Sequence, residues 1–385
     1  MAVTVEREPL ASRRLRGGIV GGGQGAFIGA VHRMAAELDG EAWIVAGALS
    51  SDPVRARESA ERWHLQRSYD SYQEMARAEA ARADGIDFVI IATPNHLHYP
   101  VAKAFIDAGI AVICDKPLAH TLEEGQRFAE LVARSQVPFA LTHTYSGYPA
   151  VREARERVVQ GFAGELRRVQ VEYLQDWLRE PLEQGDSKQA GWRGDPARAG
   201  LGGSIADIGT HAHQLLEFVS GQQVNALCAD LSAFVPGRRL DDDANVLLRL
   251  AGGAKGVLSC SQIACGEDND LRIRLYGTRG GLEWRQQEPA TLILKPAGGP
   301  WQYLRAGSAS MSPAARAATR LPAGHPEGYI EAFAVLYRNF FTDLRRRAAG
   351  EPLLGGYPGI DDGLRGLRFV ARAIESSLRE GWVAL

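Results

Sequence analysis

The sequence is short of cysteine, of net charge and of long apolar runs, and each shortage removes a class of function. Cys114, Cys228, Cys260 and Cys265 contain no CxxC pair, and the nearest two are separated by four residues. That spacing fits neither a zinc knuckle nor a dithiol redox centre, so all four read as reduced structural thiols. The formal net charge is only −2, which gives no broad field to attract nucleic acid or an anionic membrane surface. No apolar run approaches the roughly 20 residues that span a bilayer, and MAVTVEREPLASRR lacks the apolar stretch of a secretory signal. Small molecules and protein partners remain, in a chain expected to be cytoplasmic.

At 385 residues the chain exceeds what one hydrophobic core usually organises, so two domains are expected. The first part alternates β-branched runs with helical patterns: GGIV, AWIVAGAL, FVIIA and IAVIC each lead into an amphipathic stretch. Apolar runs without alternation, each followed by a helix, predict a doubly wound parallel sheet buried on both faces. Further on, LRRVQVEYLQ, NALCADLSAFV, NVLLRLAGG, AKGVLSCSQIA and LRIRLYGT follow one another, interrupted by one helical pattern around IADIGTHAHQLLEFVSG. Successive strands with short Gly or Asp turns predict an open, mostly antiparallel sheet. Residues 297–326, rich in Gly, Pro, Ala and Ser, read as a long loop. The expected organisation is a flexible tail over 1–14, a Rossmann dinucleotide-binding domain over 15–145 and an α+β substrate-binding and oligomerisation domain over 146–385, whose C-terminal helices are able to pack back on the first domain.

Four strand ends in the first part carry groups suited to a ligand. IVGGGQGAFIG follows a strand and opens a helix, so the backbone of Gly21, Gly23, Gln24 and Gly25 and the helix N-terminus are candidates to hold a pyrophosphate. Gly21, Gly23 and Ala26 satisfy G-x-G-x-x-A, while Gly25 and Gly29 offer other registers. The next strand ends in ALSSDPVRAR, where Ser50 with Arg55 suits a 2'-phosphate and Asp52 either reaches a ribose or caps a helix. The choice between NAD and NADP stays open. ATPNHLH places Thr93, Pro94, Asn95 and His98 at a carboxyl strand end, where a nicotinamide ribose is able to lie; the alternative is a plain turn and helix cap. IAVICDKP sets Lys116 at a further strand end, stiffened by Pro117. A lysine desolvated beside a cationic nicotinamide has its pKa pushed below about 10.4 and suits proton transfer or a grip on a substrate hydroxyl.

In the second part GGSIADIGTHAHQ is the candidate. On a helix, Asp207 and His211 share one face, a carboxylate and an imidazole able to orient a hydroxyl and take its proton, unless they are simply a polar face. His213 falls on another face, so no metal site is expected from the two histidines.

In this order and spacing VGGGQG, ATPNHLH, ICDKPLA and GGSIADIGTHAHQ resemble the Gfo/Idh/MocA oxidoreductases over nearly the whole chain. The DKP element stands where that family more usually has EKP. The resemblance implies a catalytic set of Lys116, Asp207 and His211, with His211 the base for the hydroxyl proton. VEYLQDW, then GWRGD, is similar to the family's levoglucosan dehydrogenase-like branch, which implies that Tyr145, Gln175, Trp177 and Arg193 line a sugar pocket alongside the catalytic set. Extra residues between QDW and WR depart from that pattern and leave the substrate open. The resulting expectation is an NAD(P)-dependent dehydrogenase acting on a ring secondary hydroxyl of a cyclic sugar, anhydrosugar or polyol, assembled as a homodimer or homotetramer through the C-terminal sheet. A redox-neutral glycosidase and a non-catalytic dinucleotide-binding sensor are the alternatives.

Overall fold

In the computed structural model the described residues are 8–185, 187–200 and 202–385; the first half of the expected N-terminal tail, residues 1–7, lies outside them. The chain divides into two units: residues up to Thr142 together with Phe333–Leu364, and His143–Ala332 together with Arg365–Leu385.

The first unit is built on six parallel strands, β1 (Leu15–Gly21), β2 (Ala42–Ala48), β3 (Arg67–Ser68), β4 (Phe88–Ala92), β5 (Ala111–Cys114) and β6 (Phe139–Leu141), in the order β3-β2-β1-β4-β5-β6. Helices α1 (Phe27–Glu37), α2 (Pro53–Arg62), α3 (Tyr72–Ala80), α4 (His98–Asp107) and α5 (Leu122–Ser135) connect them. Every residue of β4 and β5 is buried, which is why FVIIA and AVIC show no alternation. The order reverses at β1 and β4, and ligands of such sheets gather at the carboxyl ends beside that point. The short strands β3 and β6 were not evident from the sequence, because Arg67–Ser68 and Phe139–Leu141 are too brief to show a period. Ahead of β1, Arg13 is anchored by paired hydrogen bonds to Asp87, at 2.6 and 2.7 Å.

The second unit opens with α6 (Pro149–Val159), then β7 (Leu166–Leu174), the short helices α7 (Lys188–Arg193) and α8 (Pro196–Ala199), and α9 (Thr210–Ser220). Strands β8 (Val224–Ser232), β9 (Asp243–Leu250), β10 (Lys255–Ser261), β11 (Asp270–Gly277), β12 (Gly280–Arg285), β13 (Thr291–Pro296) and β14 (Gln302–Arg305) follow, then α10 (Pro313–Ala317). Two long helices, α11 (Tyr329–Ala348) and α12 (Ile360–Arg379), each run from one unit into the other, and β15 (Val383–Ala384) closes the chain. The sheet has nine strands in the order β14-β13-β12-β11-β7-β10-β9-β8-β15, antiparallel throughout except where β10 lies parallel to β7.

In β9, Ala244, Val246, Leu248 and Leu250 are buried while the alternate residues are not, the period-two pattern of a sheet with one packed face. That face packs on Val151 and Ala154 of α6, Leu215, Leu216 and Val219 of α9, and Phe369 and Ala373 of α12. The opposite face carries a ladder of ion pairs, with Arg274 to Glu172 at 3.1 Å, Arg272 to Glu283 at 2.9 Å and Lys295 to Glu283 at 2.6 Å. The expected loop over 297–326 instead contains β14 and α10. Pairing with β13 defines the strand, and the Ser312 cap with Pro313 at the first position nucleates the helix, local devices that a Gly- and Pro-rich composition conceals.

Candidate active site

At the end of β1 the chain turns through Gly21, Gly22 and Gly25, all with φ between 72 and 78°, a region that favours glycine. The tightest packing is between Gly22 and Gly29: a Cβ on Gly29 would stand 2.3 Å from the Gly22 carbonyl oxygen. This close approach seats α1 against the turn. The expected triplet of Gly21, Gly23 and Ala26 is therefore joined by a Gly22–Gly29 contact that the spacing alone did not single out. Gln24 donates its backbone N–H to Ser59 Oγ at 3.1 Å, so this residue ties the turn to α2. The cap residue Ala26 supplies no side-chain acceptor to α1, leaving first-turn N–H groups suited to a phosphate. The turn therefore fits a dinucleotide.

Beyond β2, Asp52 Oδ1 accepts from the backbone of Val54 and Arg55, at 2.9 and 3.1 Å, and Ser50 Oγ accepts from Asp52 N at 3.1 Å. Asp52 caps α2, with Pro53 at the first helical position, and the hydrogen bonds from Arg55 and Val54 hold its carboxyl below the ordinary pKa. Its acceptor capacity is partly spent on the helix.

His98, expected near a nicotinamide ribose, is buried with Nδ1 2.7 Å from the Pro117 carbonyl and Nε2 3.0 Å from the Thr93 carbonyl. Burial pushes the imidazole below its ordinary pKa against the pull of Asp115, so at neutral pH only one nitrogen donates, to one of these two carbonyls, and the ring lies between the ATPNH turn and the DKP turn. Asn95 is buried beside it in the chain, in the 3-10 turn Asn95–Leu97. The Lys116–Pro117 peptide is cis.

Lys116 sits beside Asp115, whose Oδ1 accepts from Lys116 N at 2.9 Å and from Thr142 Oγ1 at 3.0 Å and lies 3.8 Å from His32 Nε2. His32 Nδ1 is in turn 2.7 Å from Tyr337 Oη. Burial alone would raise the Asp115 carboxyl, but His32 and Lys116 overcome this and hold it well below the usual carboxylate range. The aspartate that replaces the family's more usual glutamate is thus a half-buried anion fixing the backbone that carries Lys116. Nothing in the sequence pointed to His32 or Tyr337 as its partners.

In the second unit, Asp207 lies in a π-helical turn, Ile205–Gly209, that leads directly into α9; such turns recur at functional sites. Asp241 anchors the turn, accepting from Gly203 N at 2.6 Å, Ser204 Oγ at 2.7 Å and Ile205 N at 2.8 Å. A Cβ on Gly203 would meet the Asp241 carbonyl oxygen at 2.0 Å, so the glycine admits this backbone. Asp207 Oδ2 accepts from Gln262 Nε2 at 2.9 Å and from Arg193 Nε at 3.2 Å. The Arg193 guanidinium also lies over Trp192 at 4.3 Å and faces Trp177 at 5.9 Å.

His211 is ringed by aromatic edges: Tyr145 at 5.0 Å and His143 at 5.5 Å, both nearly perpendicular, and Tyr173 at 6.2 Å. His213 points elsewhere, stacked on Phe369 at 4.4 Å and 3.3 Å from Glu217. Tyr145 and Tyr173 share a short hydroxyl–hydroxyl hydrogen bond. Tyr173 Oη donates to Asn269 Oδ1 at 2.7 Å, Gln175 Nε2 donates to the same oxygen at 2.6 Å, and Trp177 Nε1 donates to Gln175 Oε1 at 3.1 Å.

Tyr145, Gln175 and Trp177 therefore belong to one hydrogen-bonded wall, and Arg193, Asp207 and His211 to the same unit. Asn269, Gln262, Tyr173 and His143 were not singled out by sequence. Strand pairing brings two of them in: beyond the strand ends Gln175 N donates to Ser261 O at 2.8 Å and Leu178 N to Gln262 O at 3.0 Å, while β11 pairs Asp270 opposite Leu174. Asn269, within GEDND, reads locally as an ordinary turn residue.

Comparison with known proteins identifies the family. Residues 15–143 match the family model described as an oxidoreductase family with an NAD-binding Rossmann fold, and residues 151–283 match the GFO/IDH/MocA C-terminal domain. An oxidoreductase from Sinorhizobium meliloti is 46% identical, with a TM-score of 0.87 over 97% of this chain and 100% of that one. An inositol dehydrogenase homologue from Azotobacter vinelandii, solved with NAD+, is 33% identical with a TM-score of 0.93, covering both chains fully. Levoglucosan dehydrogenase from Pseudarthrobacter phenanthrenivorans is 28% identical over 300 residues, 70% of this chain and 73% of that protein. With an NAD-binding Rossmann unit, a mostly antiparallel second unit and both family models matched, the chain belongs to the Gfo/Idh/MocA family of oxidoreductases.

Proposed function

We propose that the protein is an NAD(P)-dependent dehydrogenase that oxidises a ring secondary hydroxyl of a cyclic sugar, anhydrosugar or polyol. The observation that carries this reading is the cluster around His211: an imidazole edged by tyrosines, one helical turn from a carboxylate that Arg193 and Gln262 hold in place. An imidazole among hydroxyl and amide groups suits a neutral, many-hydroxyl ligand. Two relatives support the same class, the inositol dehydrogenase homologue solved with NADH and myo-inositol and the levoglucosan dehydrogenase solved with NADH and levoglucosan.

In this reading Lys116, Asp207 and His211 are the catalytic set. A nicotinamide dinucleotide held at the strand-end turns of the first unit would supply the hydride acceptor for the alcohol carbon. His211 takes the hydroxyl proton at a ring nitrogen as the carbonyl forms, Asp207 stabilises the imidazolium that results, and Lys116 holds the reacting oxygen. Gly21, Gly23, Gln24 and Gly25 contribute turn backbone to the dinucleotide site. Ser50, Arg55, Thr93, Pro94 and Asn95 are its further proposed contacts, and His98 supports them from behind. Tyr145, Gln175, Trp177 and Arg193 shape the substrate wall. The same proposal includes assembly as a homodimer or homotetramer, which light scattering reads directly.

The test is cofactor reduction followed by absorbance with NAD and NADP separately, across free sugars, anhydrosugars, inositols and glycosides. Sustained reduction with one compound supports the dehydrogenase and identifies its substrate and cofactor. Release of an aglycone without lasting reduction replaces it with the redox-neutral glycosidase. Full turnover by Lys116→Ala on a true substrate removes the catalytic assignment, and binding without turnover anywhere in the panel favours a sensor.

A further inference from the structure

The hydrogen bonds of the tyrosine wall run in one direction only. Asn269 Oδ1 is an acceptor, so the single proton of Tyr173 Oη points to it across 2.7 Å. Tyr173 therefore has no proton left for Tyr145, and in the short bond between the two phenols Tyr145 must be the donor. Burial raises both phenols, Tyr145 to about 12 and Tyr173 well above its ordinary value, so both stay protonated at neutral pH and the direction does not reverse.

The chain ends at Asn269 with a defined polarity. Its Oδ1 receives Tyr173 and, at 2.6 Å, Gln175 Nε2, which occupies both lone pairs and fixes which way the amide faces. Of the two Nδ2 N–H groups one lies toward the Tyr145 hydroxyl oxygen, and the other remains available on a side chain that is only half-buried. The other polar groups of the wall are more committed. Gln175 Oε1 accepts from Trp177 and its Nε2 donates to Asn269, Trp177 has spent its one N–H, and Tyr145 has spent its one proton. Two buried tyrosines and a glutamine thus serve to aim one amide.

We propose that Asn269 is a specificity-determining residue that donates a hydrogen bond from Nδ2 to a hydroxyl or ring oxygen of the bound polyol, with Tyr145, Tyr173 and Gln175 as the positioning residues that fix its amide. This rests on the reading that the second unit binds a polyol. It adds a donor that recognises an acceptor oxygen at one position, where the expected Gln175 and Trp177 supply orientation and a flat face. Discrimination follows because a ligand lacking that oxygen leaves the remaining donor unpaired.

The chain's asparagines are Asn95, Asn225, Asn245, Asn269 and Asn339, few enough for selective [15N]asparagine labelling to resolve each side-chain amide. NADH-loaded protein is titrated with levoglucosan, myo-inositol and the remaining panel compounds, and the Asn269 signal is identified by its loss in Asn269→Asp. That variant keeps both acceptor positions for Tyr173 and Gln175 but has no donor. The expected result is a shift at Asn269 with the compound that binds and about a tenfold rise in its KM in Asn269→Asp, with a smaller change in kcat and an unaltered KM for the cofactor. Tyr173→Phe, which frees the amide to rotate, is expected to raise KM a few-fold in the same direction. If a panel compound is turned over while the Asn269 signal stays still and Asn269→Asp keeps the wild-type KM, the inference is overturned and the redox reading stands. A shift at Asn269 without turnover by the wild type supports the inference and removes the redox reading. No shift with any compound overturns the inference.

Discussion

The two units make their candidate sites by opposite means. In the first, the ligand-facing positions are backbone turns at the ends of parallel strands: the glycine turn after β1, the ATPNH turn after β4 and the DKP turn after β5. In the second, the cluster consists of side chains from the π turn, the end of β7, the loop after β10 and the residue before β11. A backbone-built site depends on local conformation, so damage there comes from adding atoms. A side-chain-built site depends on registry between remote segments, so damage there comes from removing or reversing one polar group.

Four substitutions test that contrast, beginning with the largest effect. His211→Ala should lower kcat/KM about a thousandfold, within the range of a lost general base, while cofactor affinity and melting temperature stay close to wild type; an activity loss tracking a loss of folded protein would deny the side-chain account. Glu217→Gln comes next, and its effect depends on pH. Burial would raise this carboxylate, but Arg365 at 2.5 and 2.8 Å and His213 bring it down to about 2. A folded pKa below the unfolded one adds stability that is complete above the unfolded value near 4.5 and vanishes as pH falls through about 2. The variant should be less stable by up to roughly 3 kcal/mol at pH 6, with the gap closing toward pH 2 in parallel denaturant titrations.

Gly29→Ala tests the backbone-built half. Its Cβ would stand 2.3 Å from the Gly22 carbonyl oxygen, and backbone cannot rotate away as a side chain can. A loss of about 2 kcal/mol and weakened NAD titration are expected, with the Asn269 amide signal unmoved. Unchanged NAD affinity would show that the Gly22–Gly29 contact does not shape the dinucleotide turn. The smallest effect belongs to Tyr145→Phe, which removes the donor into Tyr173 and leaves the Tyr173–Asn269 bond in place. About 1 kcal/mol of stability is expected to go, with a KM change under threefold, checked by thermal melts and steady-state rates.

The same contrast explains what could be read in advance. Both sheets were legible because burial on two faces writes continuous apolar runs such as FVIIA, while burial on one face writes alternation such as that of β9. Lys116, Asp207 and His211 are the set that the family resemblance singled out, and they stand as the proposed catalytic residues. The Asp115–His32–Tyr337 contacts and the Tyr145–Tyr173–Asn269 chain were not legible, since their members are separated by 28 to 305 residues and carry no mutual pattern.

The sequence by itself determined the two-part architecture, the turns at the carboxyl ends of the parallel strands and the family resemblance, because each is encoded in residues close together along the chain. Only the tertiary structure decided which polar groups are already spent. His98 lies between two turns with its one donor spent on a backbone carbonyl, Asp52 is a helix cap, and Asn269 ends a hydrogen-bond chain from Tyr145 through Tyr173. A donor or acceptor commits itself through distance and direction in space, and neither quantity exists until the strands have paired.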